Sequence, residues 1–237
     1  MTTLAAIQAP RRIGPRLPVR LRMARWVLAA AIRVLFDIRI SGAENIPDGN
    51  YIVLANHLGW IDPLLILTAL PAEPRLYFIG AQQAFARKWK VRLMRWFDSM
   101  IPFERGARWV GKNVFDKPLK VLENGARLAF FPEGDSFPDE GVLHPLQRGI
   151  GHFLMGAPAA YPIIPVALSG TRELYWRKAI TITIGKPFRV TTEGLPHHAA
   201  IDAVVEQVTG SLRAILPPYR EPTVTTKHLR FLTNWLD

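Results

Sequence analysis

The segment Asn56-His57-Leu58-Gly59-Trp60-Ile61-Asp62 sets an imidazole five positions before a carboxylate, and Phe131-Pro132-Glu133-Gly134 supplies a second polar loop downstream. Those side chains are the equipment of general-base chemistry: a neutral imidazole takes a proton near neutral pH, and an adjacent acid can fix its tautomer. The spacing alone is weak, because six histidines and 19 acids produce it readily by chance. Its context carries more. Tyr51-Ile52-Val53-Leu54-Ala55 reads as a short apolar strand, and Asp62-Pro63 as the opening of a helix with proline in its first turn. His57 is therefore expected on a strand-to-helix loop, and ligands of open α/β sheets bind at the loops leaving strand carboxyl ends. Bland alternatives exist for its neighbours. Asp62 suits a helix N-cap, and Asn56 suits a turn whose side chain bonds its own backbone. Neither accounts for His57.

The elements that must hold these loops alternate along the chain. Strands are expected at Tyr51 to Ala55, Leu76 to Ile79, Met100 to Phe103, Arg127 to Phe131, Ile163 to Leu168 and Ile180 to Ile184. Helices are expected at Pro63 to Leu70, Gln83 to Phe97, Val110 to Glu123 with a bend at Pro118, Arg148 to Met155, and His198 to Leu216. In the last of these, Ile201, Val204, Val205, Val208, Leu212 and Ile215 form one face opposite Asp202, Glu206 and Arg213, which marks a packing helix. The alternation predicts an α/β fold, with a mixed, largely parallel sheet covered by helices.

At 237 residues the chain can bury one sizeable core, and no linker composition divides its middle. The absence of cysteine excludes disulfides, thiol catalysis and cysteine metal sites. His197 and His198 are adjacent, so their side chains diverge, and no metal site is expected. No G-x-S-x-G nucleophile elbow is present, which argues against a serine hydrolase. A net charge of +11 calls for an anionic partner: nucleic acid, anionic lipid or a phosphorylated substrate. No nucleic-acid motif accompanies the charge, so a nucleic-acid partner is not expected.

The placement of the charge favours lipid. Between Arg11 and Arg39 there are eight arginines and no lysine, interleaved with apolar residues. On a helix, Leu21, Leu28, Ile32 and Leu35 share a stripe, with Arg22, Trp26, Arg33 and Asp37 on the other side. The longest uncharged run there, Trp26 to Ile32, is far short of the roughly 20 residues a spanning helix needs. This N-terminal stretch reads as an amphipathic membrane-interface helix, with an ordinary packing helix as the alternative. Phe85, Trp89, Leu93 and Trp96, bordered by Lys88, Arg92 and Arg95, read as a second interfacial or core-facing stripe. The expected organisation is a basic arm and amphipathic helix over 1–40, an α/β domain over 41–220 and a helical tail over 221–237. A basic surface suits an anionic cytoplasmic leaflet.

Four blocks in order resemble the glycerolipid acyltransferase family, which includes lysophosphatidic acid and glycerol-3-phosphate acyltransferases. They are Asn56-His57 with Asp62, Ile101-Pro102-Phe103-Glu104-Arg105, Phe131-Pro132-Glu133-Gly134 and Ile164-Pro165-Val166. The resemblance implies transfer of an acyl group from acyl-CoA or acyl carrier protein to a lysolipid hydroxyl, with no further cofactor. It implies His57 as general base and Asp62 as the acid that orients it. On the same basis Asn56, Arg105, Glu133, Gly134 and Arg148 are expected at the acceptor, with Arg105 on its phosphate. The leading acceptor is 1-acylglycerol-3-phosphate.

The chain also departs from the pattern. Where the family commonly continues with Thr or Ser and then Arg, Asp135-Ser136-Phe137-Pro138-Asp139-Glu140 follows Gly134, and Ser99 stands where Gly is usual. Three carboxylates within six residues repel a phosphomonoester unless Arg105, Arg148 or another cation outweighs them. A lysolipid without a phosphomonoester is therefore a competing acceptor. A membrane-docking protein without catalysis is the reading from another class.

Overall fold

The computed structural model describes residues 14–81, 96–103, 115–158, 161–224 and 226–234. Seven strands in that set form one sheet: β1 (Asp37–Ser41), β2 (Ile52–Ala55), β3 (Leu76–Ala81), β4 (Met100–Phe103), β5 (Arg127–Phe130), β6 (Ile163–Ser169) and β7 (Ala179–Ile184). Their order is β1-β7-β6-β2-β5-β3-β4, with every neighbouring pair parallel except β6 and β7. All four residues of β2 are buried, as a central strand covered on both faces requires. In β7, Ile180, Ile182 and Ile184 turn inward while Thr181 and Thr183 do not, the period-two pattern of a strand with one buried face.

Helices α1 (Val19–Leu35) and α2 (Asp62–Ala69) cover one face of the sheet. Ile32, Leu65 and Ile66 join Val53, Ala55, Ile164 and Val166 in that core. Helices α3 (Asp116–Glu123), α4 (Gly149–Gly156) and α5 (His197–Ile215) cover the other, where Leu122, Phe153, Val204, Val208 and Leu212 pack on Ile52, Leu54 and Leu128. The stripe read on the last helix is that contact.

The Asp37–Ser41 strand extends the sheet beyond what periodicity gave. It begins directly after α1 and pairs with β7, Asp37 opposite Ala179, a partner invisible locally. The 40/41 boundary thus falls inside β1. Pro118 does not divide its helix: α3 starts at Asp116, so the proline lies in the first turn, where an N–H has no intrahelical acceptor. Most of the expected helix at Gln83 to Phe97 lies outside the described residues, as does the start of the one at Val110. The described tail closes with a 3-10 turn, Arg230–Asn234.

Helix α1 has two apolar faces, and the sequence reading saw only one. Leu21 and Ile32 are buried and Leu28 and Leu35 pack on the core, so that stripe faces the protein. Arg25 reinforces this contact by donating from Nε to the Leu67 carbonyl at 2.7 Å and from its terminal nitrogen to Leu70, satisfying carbonyls at the end of α2. The opposite face leaves Val19, Met23, Trp26, Val27 and Val34 more than half exposed.

Candidate active site

Because β2, β5 and β6 run parallel, the loops leaving them open on one edge of the sheet. The loop after β2 carries His57. Its Nδ1 lies 2.8 Å from Asp62 Oδ2, and the same oxygen accepts the backbone N–H groups of Leu58 at 2.6 Å and Gly59 at 2.8 Å. An ionised carboxylate only accepts, so Nδ1 carries the proton and Nε2 presents its lone pair. Asp62 is fully buried while the His57 side chain is 22% exposed, an arrangement in which only the imidazole reaches the surface. Nε2 has no protein partner among the described residues. Ile61 is the N-cap of α2 and Asp62 its first helical residue, with its carboxylate turned back to His57, Leu58 and Gly59, so the N-cap alternative is not how that carboxylate is used.

Phe131 stacks on the His57 ring, with centroids 4.2 Å apart and planes 21° from parallel. The His57 backbone is held from both sides: its N–H donates to Glu133 Oε1 at 2.9 Å, and its carbonyl accepts from Phe137 N–H at 3.0 Å. Glu133 Oε2 accepts the N–H of His144 at 3.0 Å. Burial pushes the Glu133 carboxyl above the ordinary carboxylate range, and the two N–H donors oppose that shift. Glu133 therefore joins the loop after β5 to the loop carrying His57.

The structure gives other residues expected at the acceptor a different use. Asn56 is buried, and its side chain both donates to the Leu168 carbonyl at 3.0 Å and accepts the Leu168 N–H at 2.8 Å, locking β2 to β6 where regular pairing stops. It does not form the local turn that was the alternative. Gly134 adopts a φ of 80°, and a Cβ there would meet Gln147 Cγ at 2.8 Å, so glycine is required for the turn itself. Arg148 opens α4, and its guanidinium pairs with Asp202 of α5 at 2.9 Å, in the helix layer opposite Phe131. Arg105 follows β4 in the chain and lies outside the described residues. Among the described residues no cluster of three or more metal-ligating side chains occurs.

Two features escaped the sequence reading. Glu140 reaches across to the loop after β6, where its carboxylate accepts the N–H groups of Gly170 and Arg172. Burial pushes its carboxyl up, and those bonds oppose the shift. Arg172 itself was also passed over. The available signal was Gly170-Thr171-Arg172 directly after a strand that is apolar but for its last residue, Ser169, a context close to the one that drew notice to His57.

A Glu133→Gln variant tests the brace. An amide offers one acceptor where two are needed and turns its own N–H₂ toward a backbone N–H. The expected cost is about 1–3 kcal/mol in denaturant unfolding. Wild-type stability in the variant would show that Glu133 does not hold the loop.

The chloroplastic 1-acyl-sn-glycerol-3-phosphate acyltransferase of Arabidopsis thaliana is 24% identical over 200 residues, 82% of this chain and 50% of that protein. The 1-acyl-sn-glycerol-3-phosphate acyltransferase of Saccharomyces cerevisiae is 26% identical over 192 residues, 73% of this chain and 60% of that one. The chain spans about half the length of the curated relatives it matches. The crystal structure of the 1-acyl-sn-glycerophosphate acyltransferase of Thermotoga maritima shares the fold, with a TM-score of 0.61 at 23% identity over 82% of this chain and 77% of that one. The acyltransferase family model matches residues 37–169, from β1 to the end of β6 and so across His57, Asp62, Glu133 and Gly134; the chain belongs to the acyltransferase family.

Proposed function

We propose that the protein is an O-acyltransferase that moves a fatty acyl group from a thioester, acyl-CoA or acyl carrier protein, to the hydroxyl of a lysolipid. The leading acceptor is 1-acylglycerol-3-phosphate, the product then being phosphatidic acid. The observation that carries this reading is His57, held through Nδ1 by buried Asp62 and left with an accessible Nε2. An alcohol is too weak an acid to attack a thioester unaided, so the base must act as the oxygen–carbon bond forms. Nε2 takes the hydroxyl proton, the oxygen attacks the carbonyl carbon, and the carbon–sulfur bond breaks. The thiolate leaves with the proton returned from the imidazolium, which Asp62 stabilises meanwhile. No acyl-enzyme forms.

The apolar side of the site has a candidate path for the chain. Phe131, stacked on His57, lies 6.4 Å by centroid from Phe78. Phe78 lines a small cavity of about 40 Å³ with Pro63, Leu64, Leu67, Phe97, Ser99 and Met100. We assign this row to acyl-chain contact.

Among the described residues no helix is long and apolar enough to cross a membrane. The exposed face of α1 supplies an interfacial surface instead: Val19, Met23, Trp26, Val27 and Val34 lie between Arg20, Arg22 and Arg33, a composition suited to the headgroup boundary of an anionic bilayer. Since α1 packs on α2, which begins at Asp62, docking would hold the catalytic loop at the lipid surface. The double variant Trp26→Glu/Val27→Glu alters only exposed positions and is expected to keep its melting temperature. Its binding to anionic liposomes should fall at least about tenfold in flotation assays. Unchanged binding would mean that another surface makes the contact.

The function is tested by supplying folded protein with acyl-CoA or acyl carrier protein and liposomes of lysophosphatidic acid or of a lysolipid without a terminal phosphate. Formation of the diacyl product from the phosphomonoester is expected. Failure of folded protein to acylate either lipid with either donor would end this reading and leave the docking protein.

A further inference from the structure

The chain lacks the arginine that commonly follows Gly134 in its family, yet a cation stands beside the catalytic loop from another strand. Strand β6 is the immediate neighbour of β2, with Ala55 opposite Val166 and Asn56 bonded to Leu168. The residues leaving β6 therefore emerge about one strand spacing, roughly 4.8 Å, from those leaving β2. Strand β4, which precedes Arg105, is three positions away on the other side.

The loop after β6 is held firmly. Gly170 has a φ of 84°, and a Cβ there would lie 2.3 Å from the Ala179 carbonyl oxygen. Thr171 is buried, and its carbonyl oxygen is 3.5 Å from the Cβ position of Gly59 in the catalytic loop. Arg172 N–H donates to Glu140 Oε1 at 2.9 Å. The Arg172 side chain differs: it is exposed, and its guanidinium has no hydrogen-bond or ion-pair partner among the described residues.

That side chain lines an open cavity of about 540 Å³ together with Glu173, Arg230, Phe231 and Thr233. The far wall is the 3-10 turn Arg230–Asn234. It is fastened to the catalytic loop by Trp60, whose indole N–H donates to the Leu232 carbonyl at 2.9 Å. The Thr233 hydroxyl fastens it to Leu174, accepting the Leu174 N–H at 2.9 Å. The walls of the cavity thus adjoin the loop of His57: Thr171, next to Arg172, faces Gly59, and Leu232, between Phe231 and Thr233, is bonded to Trp60. Its one acid is already matched: Glu173 pairs with Lys227 and with Arg230 Nε at 2.6 Å. The acids after Gly134 are engaged as well, Asp139 with His144 Nε2 at 3.0 Å and Glu140 with the two backbone N–H groups. Arg172 is left, among the described residues, as a planar cation without a side-chain partner, on a fixed backbone at the edge of a cavity.

We propose that Arg172 receives the phosphate of the lysolipid headgroup, substituting for the arginine that is missing after Gly134. This rests on the acyltransferase reading of His57. The guanidinium fork matches two phosphate oxygens, whereas an ammonium offers only a point charge. The phosphates of an acyl-CoA donor present the same chemistry, so acceptor and donor must be varied separately.

The test compares wild type, Arg172→Gln and Arg172→Lys with lysophosphatidic acid and with uncharged monoacylglycerol, at saturating and limiting acyl-CoA. Arg172→Gln should raise KM for lysophosphatidic acid about 10- to 100-fold. Its donor KM and its rate with monoacylglycerol should stay within about twofold of wild type, and Arg172→Lys should recover part of the loss. Equal losses on both acceptors, a shift in donor KM instead, or no change overturns the assignment while leaving the catalytic reading intact. A second readout needs no turnover: the Arg172 Nε–Hε NMR signal, identified by its loss in Arg172→Gln, should move on titration with glycerol 3-phosphate. An inactive wild type would defeat the catalytic reading, and an unmoved signal would defeat this one.

Discussion

Asp62→Asn is expected to lower the acyl-transfer rate by about 10³- to 10⁴-fold while the protein remains folded. Asp62 Oδ2 accepts three N–H groups, from His57 Nδ1, Leu58 and Gly59, inside a fully buried setting. An asparagine oxygen in the same place can keep the backbone bonds, so the loop persists. The charge that stabilises the imidazolium is lost, and an amide turned the other way presents N–H₂ to Nδ1. That orientation favours the tautomer with its proton on Nε2, the nitrogen that must accept one. The measurement is kcat under saturating substrates, beside a thermal melt. A variant that melts as wild type does and turns over at a comparable rate would show that Asp62 serves the loop alone.

Asp62→Ala separates the two roles further. It removes the acceptor for two backbone N–H groups as well as for the imidazole, so stability should fall with activity. The contrast between the two substitutions distinguishes loop support from tautomer control.

The pairing of His57 with Asp62 was legible because its signals are local. Tyr51 to Ala55 is an uninterrupted apolar run, Asp62-Pro63 opens a helix, and the six residues between them can close a loop. The pairing of His57 with Asp62 follows from that short reach. The stripe on α5 was equally plain, since six apolar residues at helical spacing have one packing solution.

What the sequence hid depends on partners distant in the chain. Asn56 and Glu133 are polar residues in or beside the loops that hold His57, and the family resemblance placed them at the acceptor. Their actual partners are the backbone of Leu168, 112 residues away, and that of His57, 76 residues away. Buried polar side chains that satisfy backbone groups look, in sequence, like ligand contacts. Strand β1 was missed for a related reason. Asp37-Ile38-Arg39-Ile40-Ser41 alternates, but it is charged, exposed from Arg39 onward and nearly continuous with α1, and only β7 makes it a strand.

Helix α1 shows the limit of periodicity. Leu21, Leu28, Ile32 and Leu35 form a true stripe, but a stripe does not state what covers it. The core does, through Val53, Ile66 and their neighbours, together with the Arg25 bonds to α2. The apolar surface left exposed is the one carrying Trp26, which had been grouped with the arginines as the polar side. Exposure of five large apolar residues became visible only after the core was in place.

The most direct measurement is acyl transfer from a thioester donor by wild type and His57→Ala side by side on liposomes carrying lysophosphatidic acid. His57 is partly exposed and its backbone bonds to Glu133 and Phe137 survive truncation, so the variant should fold. The account predicts product from wild type and a loss of about 10²- to 10⁴-fold in the variant, with binding to the liposomes unchanged. A folded His57→Ala protein that transfers acyl groups at the wild-type rate would contradict it.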